Sequence, residues 1–244
     1  FLKERMLFDV TLFSDGSNIQ RKPKGHLYLY PLIAIAAMLA IVFVMDLPHM
    51  HKPKQQLSQT IRIPAGQRAQ MDLPDGSIVW LNSQTTLTYD ENFGKKDRKV
   101  TLDGEAYFEV AHNKEIPFYV QTENIKVQVT GTKFDVCSYK GSNSFIARLI
   151  EGSINLLTNN AKEEKPITSL TKGKYFSMEN GKYKTGEMSS NNALAWMQGI
   201  YYFDDVPFKE LLDKIALYYN YKITVKNPKI LENYRCTGKF KDLD

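Results

Sequence analysis

Residues 73–82 read Leu73-Pro74-Asp75-Gly76-Ser77-Ile78-Val79-Trp80-Leu81-Asn82. Proline presets φ for a turn and glycine supplies the positive φ that closes it, so Pro74-Asp75-Gly76 joins two extended segments, Gln67–Leu73 and Ser77–Asn82. The same grammar recurs downstream. Asn180-Gly181, the pair that most favours a two-residue hairpin, separates Lys174–Met178 from Lys182–Thr185. Gly104 separates Lys99–Asp103 from Ala106–Ala111, which predicts another hairpin there, and Glu151-Gly152 separates Phe145–Ile150 from Ser153–Leu157. Val127, Val129, Phe134 and Val136 alternate with polar Gln128 and Asp135, the period of a half-buried strand. The chain carries 14 Tyr and 13 Phe against 2 Trp, a composition suited to pleated faces. Short strands at even spacing with no long helix between them predict a mainly β protein, its all-β domain covering residues 61–190. This pattern does not separate a sandwich from a barrel or a solenoid.

Beyond Asn191 the texture changes. Asn192–Gln198 reads as a short helix or an extended lead-in. Asp204-Asp205-Val206-Pro207 is a helix-start signature. Phe208, Leu211, Leu212, Ile215 and Tyr219 then recur at helical spacing, with Lys209, Glu210, Asp213 and Lys214 on the other face. An amphipathic helix over Pro207–Tyr219 follows. Tyr221–Val225 alternates as a strand, and Tyr234–Phe240 reads as another. Residues 191–244 therefore form a small α+β unit of β-α-β type, incomplete at its end.

Leu27–Met45 is 19 residues without a charge. As a helix it measures about 28 Å, close to the hydrocarbon thickness of a bilayer. Tyr28 and Tyr30 lie at one end, where interfacial aromatics belong, and Pro31 falls in the first turns. A buried helix of this length would carry a polar stripe, and a cleaved signal peptide would be shorter and end in small residues. A single transmembrane helix is the better reading. Arg21, Lys22 and Lys24 crowd its N-terminal side, while Lys52 and Lys54 lie further off on the other. Residues 1–26 are therefore expected in the cytoplasm and everything after 46 outside. Residues 46–60 lack hydrophobic periodicity and read as a tether.

The formal charge is +5, and the cluster Lys95, Lys96, Arg98, Lys99 is interrupted by Asp97. A nucleic-acid surface needs a basic face with stacking aromatics, so no nucleic-acid partner is expected. Cys137 and Cys236 make no CxxC, and both are expected to be free thiols. His49 and His51 lack a third ligand in reach, so no metal or other cofactor is expected. Glu105 and Glu109 are close in sequence, but paired carboxylates act on glycosides only across a cleft of set width. Arg98 or a strand neighbour is expected to pair with one of them at an exposed site. No HExxH, GxSxG, P-loop or GxGxxG occurs, and no catalytic residue is assigned.

The chain resembles the FecR family as found in Bacteroidetes-type bacteria. The likeness begins at Ile63-Pro64-Ala65-Gly66-Gln67 and continues through the 73–82 run. It then follows Arg98-Lys99-Val100-Thr101-Leu102-Asp103-Gly104-Glu105-Ala106-Tyr107-Phe108-Glu109-Val110, Pro117–Val120 and Val129-Thr130-Gly131-Thr132-Lys133-Phe134-Asp135-Val136. Glu151–Ile154, Ala195-Trp196, Gly199, Phe203, Pro207 and Tyr218-Tyr219 complete it. Each run is weak alone; their order over about 180 residues is specific. The resemblance implies an anti-sigma regulator in the inner membrane. Such a protein relays the state of a TonB-dependent outer-membrane transporter, sensed through the transporter's signalling domain, to an extracytoplasmic-function (ECF) sigma factor. It also implies that residues 191–244 are a unit related to that signalling domain. The family's sigma-binding domain is longer than residues 1–26, so the chain, starting at Phe1, reads as a piece lacking most of that domain. For the partner surface, Trp196, Phe203, Tyr221 and Ile223 are the candidates, with strand addition at the Tyr221–Val225 edge as the mode. A membrane-tethered periplasmic carbohydrate-binding module is the alternative, and a periplasmic enzyme a third, more distant one.

Overall fold

The computed structural model describes residues 34–38, 41, 57–159, 164–188 and 191–241. The chain divides into two units, residues 1–55 and 56–244. In the first, residues 34–38 and 41 are helical and exposed; the rest of the expected span lies outside the described residues. Among the described residues no helix is long and apolar enough to cross a membrane.

The second unit is a curled sheet of 13 strands followed by a small α+β unit. Its organising element is β5, Arg98–Glu109, which is twelve residues long. The first half of β5 pairs with β4 (Thr86–Asp90) and, in parallel, with β6 (Phe118–Gln121). That leaf runs outward through β4 to β1 (Ser58–Arg62), and through β6 to β7 (Ile125–Val129), β10 (Ser153–Thr158) and β11 (Pro166–Thr171). The second half of β5 pairs with β3 (Ile78–Leu81) and β8 (Lys133–Ser138). That leaf adds β2 (Ala69–Asp72) beyond β3, and β9 (Ser144–Glu151), β12 (Lys174–Glu179) and β13 (Lys182–Glu187) beyond β8.

The expected hairpin at Gly104 is therefore not one. Gly104 is a bend inside a continuous strand, at φ +134°, and a Cβ there would meet Thr85 at 2.4–2.7 Å. Gly152 likewise turns the chain from one leaf to the other, because β9 and β10 take different partners. The turns at Pro74-Asp75-Gly76 and Asn180-Gly181 do close hairpins, the latter with φ 49° and 78° as a type I′ turn requires.

One core fills the space between the leaves. Val100, Leu102 and Phe118 come from the first, and Ala106, Phe108, Phe134 and Leu149 from the second. Phe108 stacks on Phe134 at 5.2 Å and meets Phe118 edge-on at 5.8 Å, joining the leaves. The Leu-Pro-Asp-Gly-Ser turn is structural. Asp75 accepts hydrogen bonds from the Ser77 amide and hydroxyl, and the buried Arg98 donates to it. Arg98 also donates to the carbonyls of Ala111, Asn113 and Ile116. Of the two partners expected for the carboxylates, Arg98 pairs with Asp75 instead, while the strand neighbour Lys133 lies 3.5 Å from Glu109 at a part-exposed site, as expected.

After a 3-10 helix, Asn191–Gln198, the C-terminal unit pairs β14 (Ile200–Pro207) with β15 (Arg235–Lys241). Between them come α1, Phe208–Tyr219, and α2, Lys229–Asn233. Residues 221–225 are not a strand, and Tyr221, Ile223 and Thr224 are exposed. Asn220, left-handed at φ 56°, turns the chain out of α1, and β14 takes β15 as its partner. Alternation without a neighbouring strand does not make a strand. The buried face of α1 carries Leu211 and Tyr218, and Tyr219 is exposed, one position round from the expected stripe.

Gly104→Ala is expected to destabilise the fold by about 2–4 kcal/mol, since its Cβ has no space. Gly181→Ala, where nothing lies within 4 Å, should cost only about 1 kcal/mol of backbone strain. Urea denaturation of the two variants measures both, and equal losses would contradict this account.

Candidate functional site

The alternation of β5, β8 and β9 sends Ala106, Phe108, Phe134, Val136, Ala147 and Leu149 into the core. It must send Glu105, Asp135 and Arg148 to the outer face of the same leaf. The register then brings them together: Asp135 lies directly opposite Arg148, and Glu105 opposite Cys137, two residues along from Asp135. Arg148 Nη1 is 2.5 Å from Asp135 Oδ2 and 3.7 Å from Glu105 Oε1. Asn82 Nδ2 donates to the other Glu105 oxygen at 2.7 Å.

An outer face would normally leave these groups in water. Here the C-terminal unit covers them: Asp135 is fully buried, and Trp196 and Phe203 are 3% and 5% exposed. One guanidinium thus serves two buried carboxylates. Burial and the charge of Glu105 raise the Asp135 pKa to about 7, against the pull of Arg148 and the Trp196 indole. Burial alone would lower the Arg148 pKa, but Asp135 and Glu105 more than offset it, and the arginine stays charged. The Trp196 Nε1 and Asp135 Oδ1 atoms are both buried outside standard hydrogen-bond geometry.

Beside this cluster a cleft of about 500 Å³ lies between the leaf and the C-terminal unit. Tyr175, Ser177 and Lys184 line one wall; Tyr202, Asp204 and Lys214 line the other. Polar contacts from β14 and from the end of α1 add to the junction. Tyr201 Oη donates to Asn82 Oδ1 at 3.2 Å, and the Tyr218 carbonyl accepts from the Gly66 amide and the Ser83 hydroxyl, each at 2.8 Å. Among the described residues no group of three or more His, Cys, Asp or Glu side chains is placed to hold a metal ion. Both cysteines are free thiols.

The four residues singled out from sequence do not form one surface. Trp196 and Phe203 lie inside the junction, Tyr221 is 68% exposed and Ile223 40%. What sequence reading missed is the buried trio Glu105, Asp135 and Arg148. Its signal was present, as a charged residue at the outward position of three strands, but the strand order was needed to see them converge. It also missed that Tyr202, Tyr234 and Phe240 are exposed together with Tyr219 and Tyr221 on the C-terminal unit. The sandwich exposes far fewer large apolar side chains, Leu57 and Tyr183 among the described residues.

The sequence profile of the family described as FecR protein matches residues 59–155, and that of FecR, C-terminal matches residues 200–244. Two crystal structures of a candidate anti-sigma factor from Parabacteroides distasonis ATCC 8503 share the fold. The one at 2.50 Å is 25% identical, with a TM-score of 0.67, over 77% of this chain and 86% of that one. The one at 1.65 Å is 24% identical, also at 0.67, over 76% and 86%. No curated protein sequence matches the chain.

A raised carboxyl pKa has a definite sign in stability. The folded protein holds the Asp135 proton more tightly than the unfolded chain does. That stabilisation is complete below about pH 4 and is lost as pH rises through about 7. Asp135→Asn removes the titration, so the Tm of the wild type relative to this variant should fall by about 5 °C or more between pH 4.5 and 8. A difference that stays constant with pH in thermal melts would contradict the assignment.

Proposed function

Because this chain belongs to the FecR family of anti-sigma regulators, we propose that it relays the state of a TonB-dependent outer-membrane transporter to an ECF sigma factor. In this reading residues 27–45 cross the inner membrane once, residues 1–26 belong to the cytoplasmic side, and the sandwich with its C-terminal unit stands in the periplasm. The uncharged run of 19 residues and the cations Arg21, Lys22 and Lys24 on its N-terminal side support that orientation.

The observation that carries the partner assignment is the C-terminal unit itself. Its sheet has two strands, β14 and β15, each paired only with the other, so each has an open edge among the described residues. Around that sheet stand the exposed rings of Tyr202, Tyr234 and Phe240. Open strand edges and clustered aromatics are the features of a protein-docking surface. The family is regulatory rather than enzymatic, and the buried trio is engaged in its own ion pairs, which suits a structural role.

The whole chain in nanodiscs, titrated with the signalling domain of the transporter encoded beside it, should bind saturably. Tyr202→Ser with Phe240→Ser should weaken that binding about tenfold or more. Absence of binding in every ligand state of the transporter would overturn the proposal. Saturable binding of a small carbohydrate instead would favour the tethered carbohydrate-binding module.

A further inference from the structure

The last carbonyls of an α-helix have no partner within the helix and must find donors elsewhere. In α1 two of them find donors in the sandwich, and the donors come from two separate segments. The Tyr218 carbonyl accepts from the Gly66 amide and from Ser83 Oγ, and the Leu217 carbonyl accepts from Gln84 Nε2. The Tyr218 side chain repeats the connection: its hydroxyl donates to the Gly66 carbonyl at 2.9 Å and accepts from Arg68 Nη1 at 3.1 Å. A cationic side chain at this end also suits the negative pole of the helix. Gly66 and Ser83 are bonded to one another as well, amide to hydroxyl at 2.9 Å.

These segments, 63–66 and 82–85, bracket the closed end of the β1–β4 ladder. The Ile63 amide donates to the Thr85 carbonyl at 2.8 Å, the next bond after the pair Arg62–Thr86. Gln84 stands in the corner at φ 56°, a left-handed conformation that costs a non-glycine residue about 1 kcal/mol or more. Its side chain is at the same time bonded to α1. β1 depends on this corner more than any interior strand would. Among the described residues it pairs with β4 alone, over five residues, and only Ile61 among them is not exposed. β1 is also where the sandwich begins, and its Ser58–Thr60 take the last three residues of the stretch expected to be a tether.

We infer that the C-terminal end of α1 latches the corner formed by residues 63–66 and 82–85, so that displacement of the C-terminal unit loosens β1 and is passed to the segment leading toward residue 46. The signal then travels from the docking unit to the first strand without crossing the core. Glu105 lies beside the corner and accepts from its Asn82, and the Tyr201 bond to Asn82 ties β14 to the same place. The inference takes from the preceding section only that the C-terminal unit receives a partner. Its test needs no partner, so the two can fail separately.

Amide hydrogen exchange on the full chain in nanodiscs tests the latch. Gln84→Gly removes the bond to Leu217 while relieving the left-handed strain, and Tyr218→Phe removes the two hydroxyl bonds. The double variant is expected to speed exchange of the β1 amides about tenfold, together with the last turn of α1, while β7 in the sheet interior keeps its rate. Faster exchange in α1 with β1 unchanged would overturn the inference, because the latch would open without effect on the strand. Unchanged exchange at both would overturn it too, since these bonds would then not hold the corner. Faster exchange everywhere, β7 included, would make the corner part of the global fold instead of a latch. Gln84→Gly alone, which lowers strain, keeps the comparison available if the double variant folds poorly.

Discussion

At position 104 the backbone of β5 passes so close to Thr85 that no side chain fits between them. This contact sets the rest of the molecule. Because residue 104 has no Cβ, one strand can run through the bend and serve two leaves, and the strands of both leaves inherit their register from it. The alternation of β5 continues unbroken through the bend, so Val100 and Leu102 on one side and Ala106 and Phe108 on the other all face the same core. The price of that continuity is that Glu105, next to the bend, must face outward on the seam.

What covers Glu105 meets both charge and apolar surface. Asp135 and Arg148 are carried to the same spot by their own alternation, and the C-terminal unit closes over all three. Burying an ion cluster is weak evidence for stability, since desolvation offsets most of the attraction. Such a cluster does discriminate sharply between a docked and a displaced cover, because displaced groups regain water and docked ones rely on one shared guanidinium. The apolar anchors Trp196, Phe203 and Tyr218 are supplemented by bonds to the end of α1. A junction of this kind holds a unit in place without merging it into the core.

The family-signature residues divide accordingly. Leu73–Ser77, Arg98 and Gly104 shape the sandwich, while Gly66 and Asn82 at one end and Trp196 and Tyr218 at the other make the junction. The surface offered outward, with Tyr202, Tyr219, Tyr221 and Phe240, falls outside most of these runs. Residues that hold the parts together are thus distinct from residues available to a partner. A regulator that must keep one architecture while meeting a particular partner is served by that separation.

Local chemistry was legible in the sequence. Pro74-Asp75-Gly76 and Asn180-Gly181 name their own turns, since the required φ values are intrinsic to those residues. The helix starting at residue 208 follows from its periodicity, and the outward position of Glu105, Asp135 and Arg148 follows from alternation. Gly104, Gly152 and Tyr221–Val225 were not legible in the same way. A glycine between two apolar runs reads alike whether the chain reverses or merely bends, and an alternating segment reads as a strand whether or not a neighbour exists. Only the tertiary structure supplies that neighbour: Thr85 pressed against residue 104, β15 taken as the partner of β14, and a C-terminal unit laid over three charges. Turn and period are properties of a few consecutive residues, whereas pairing and burial depend on which distant segment arrives, and the chain carries that information only when folded.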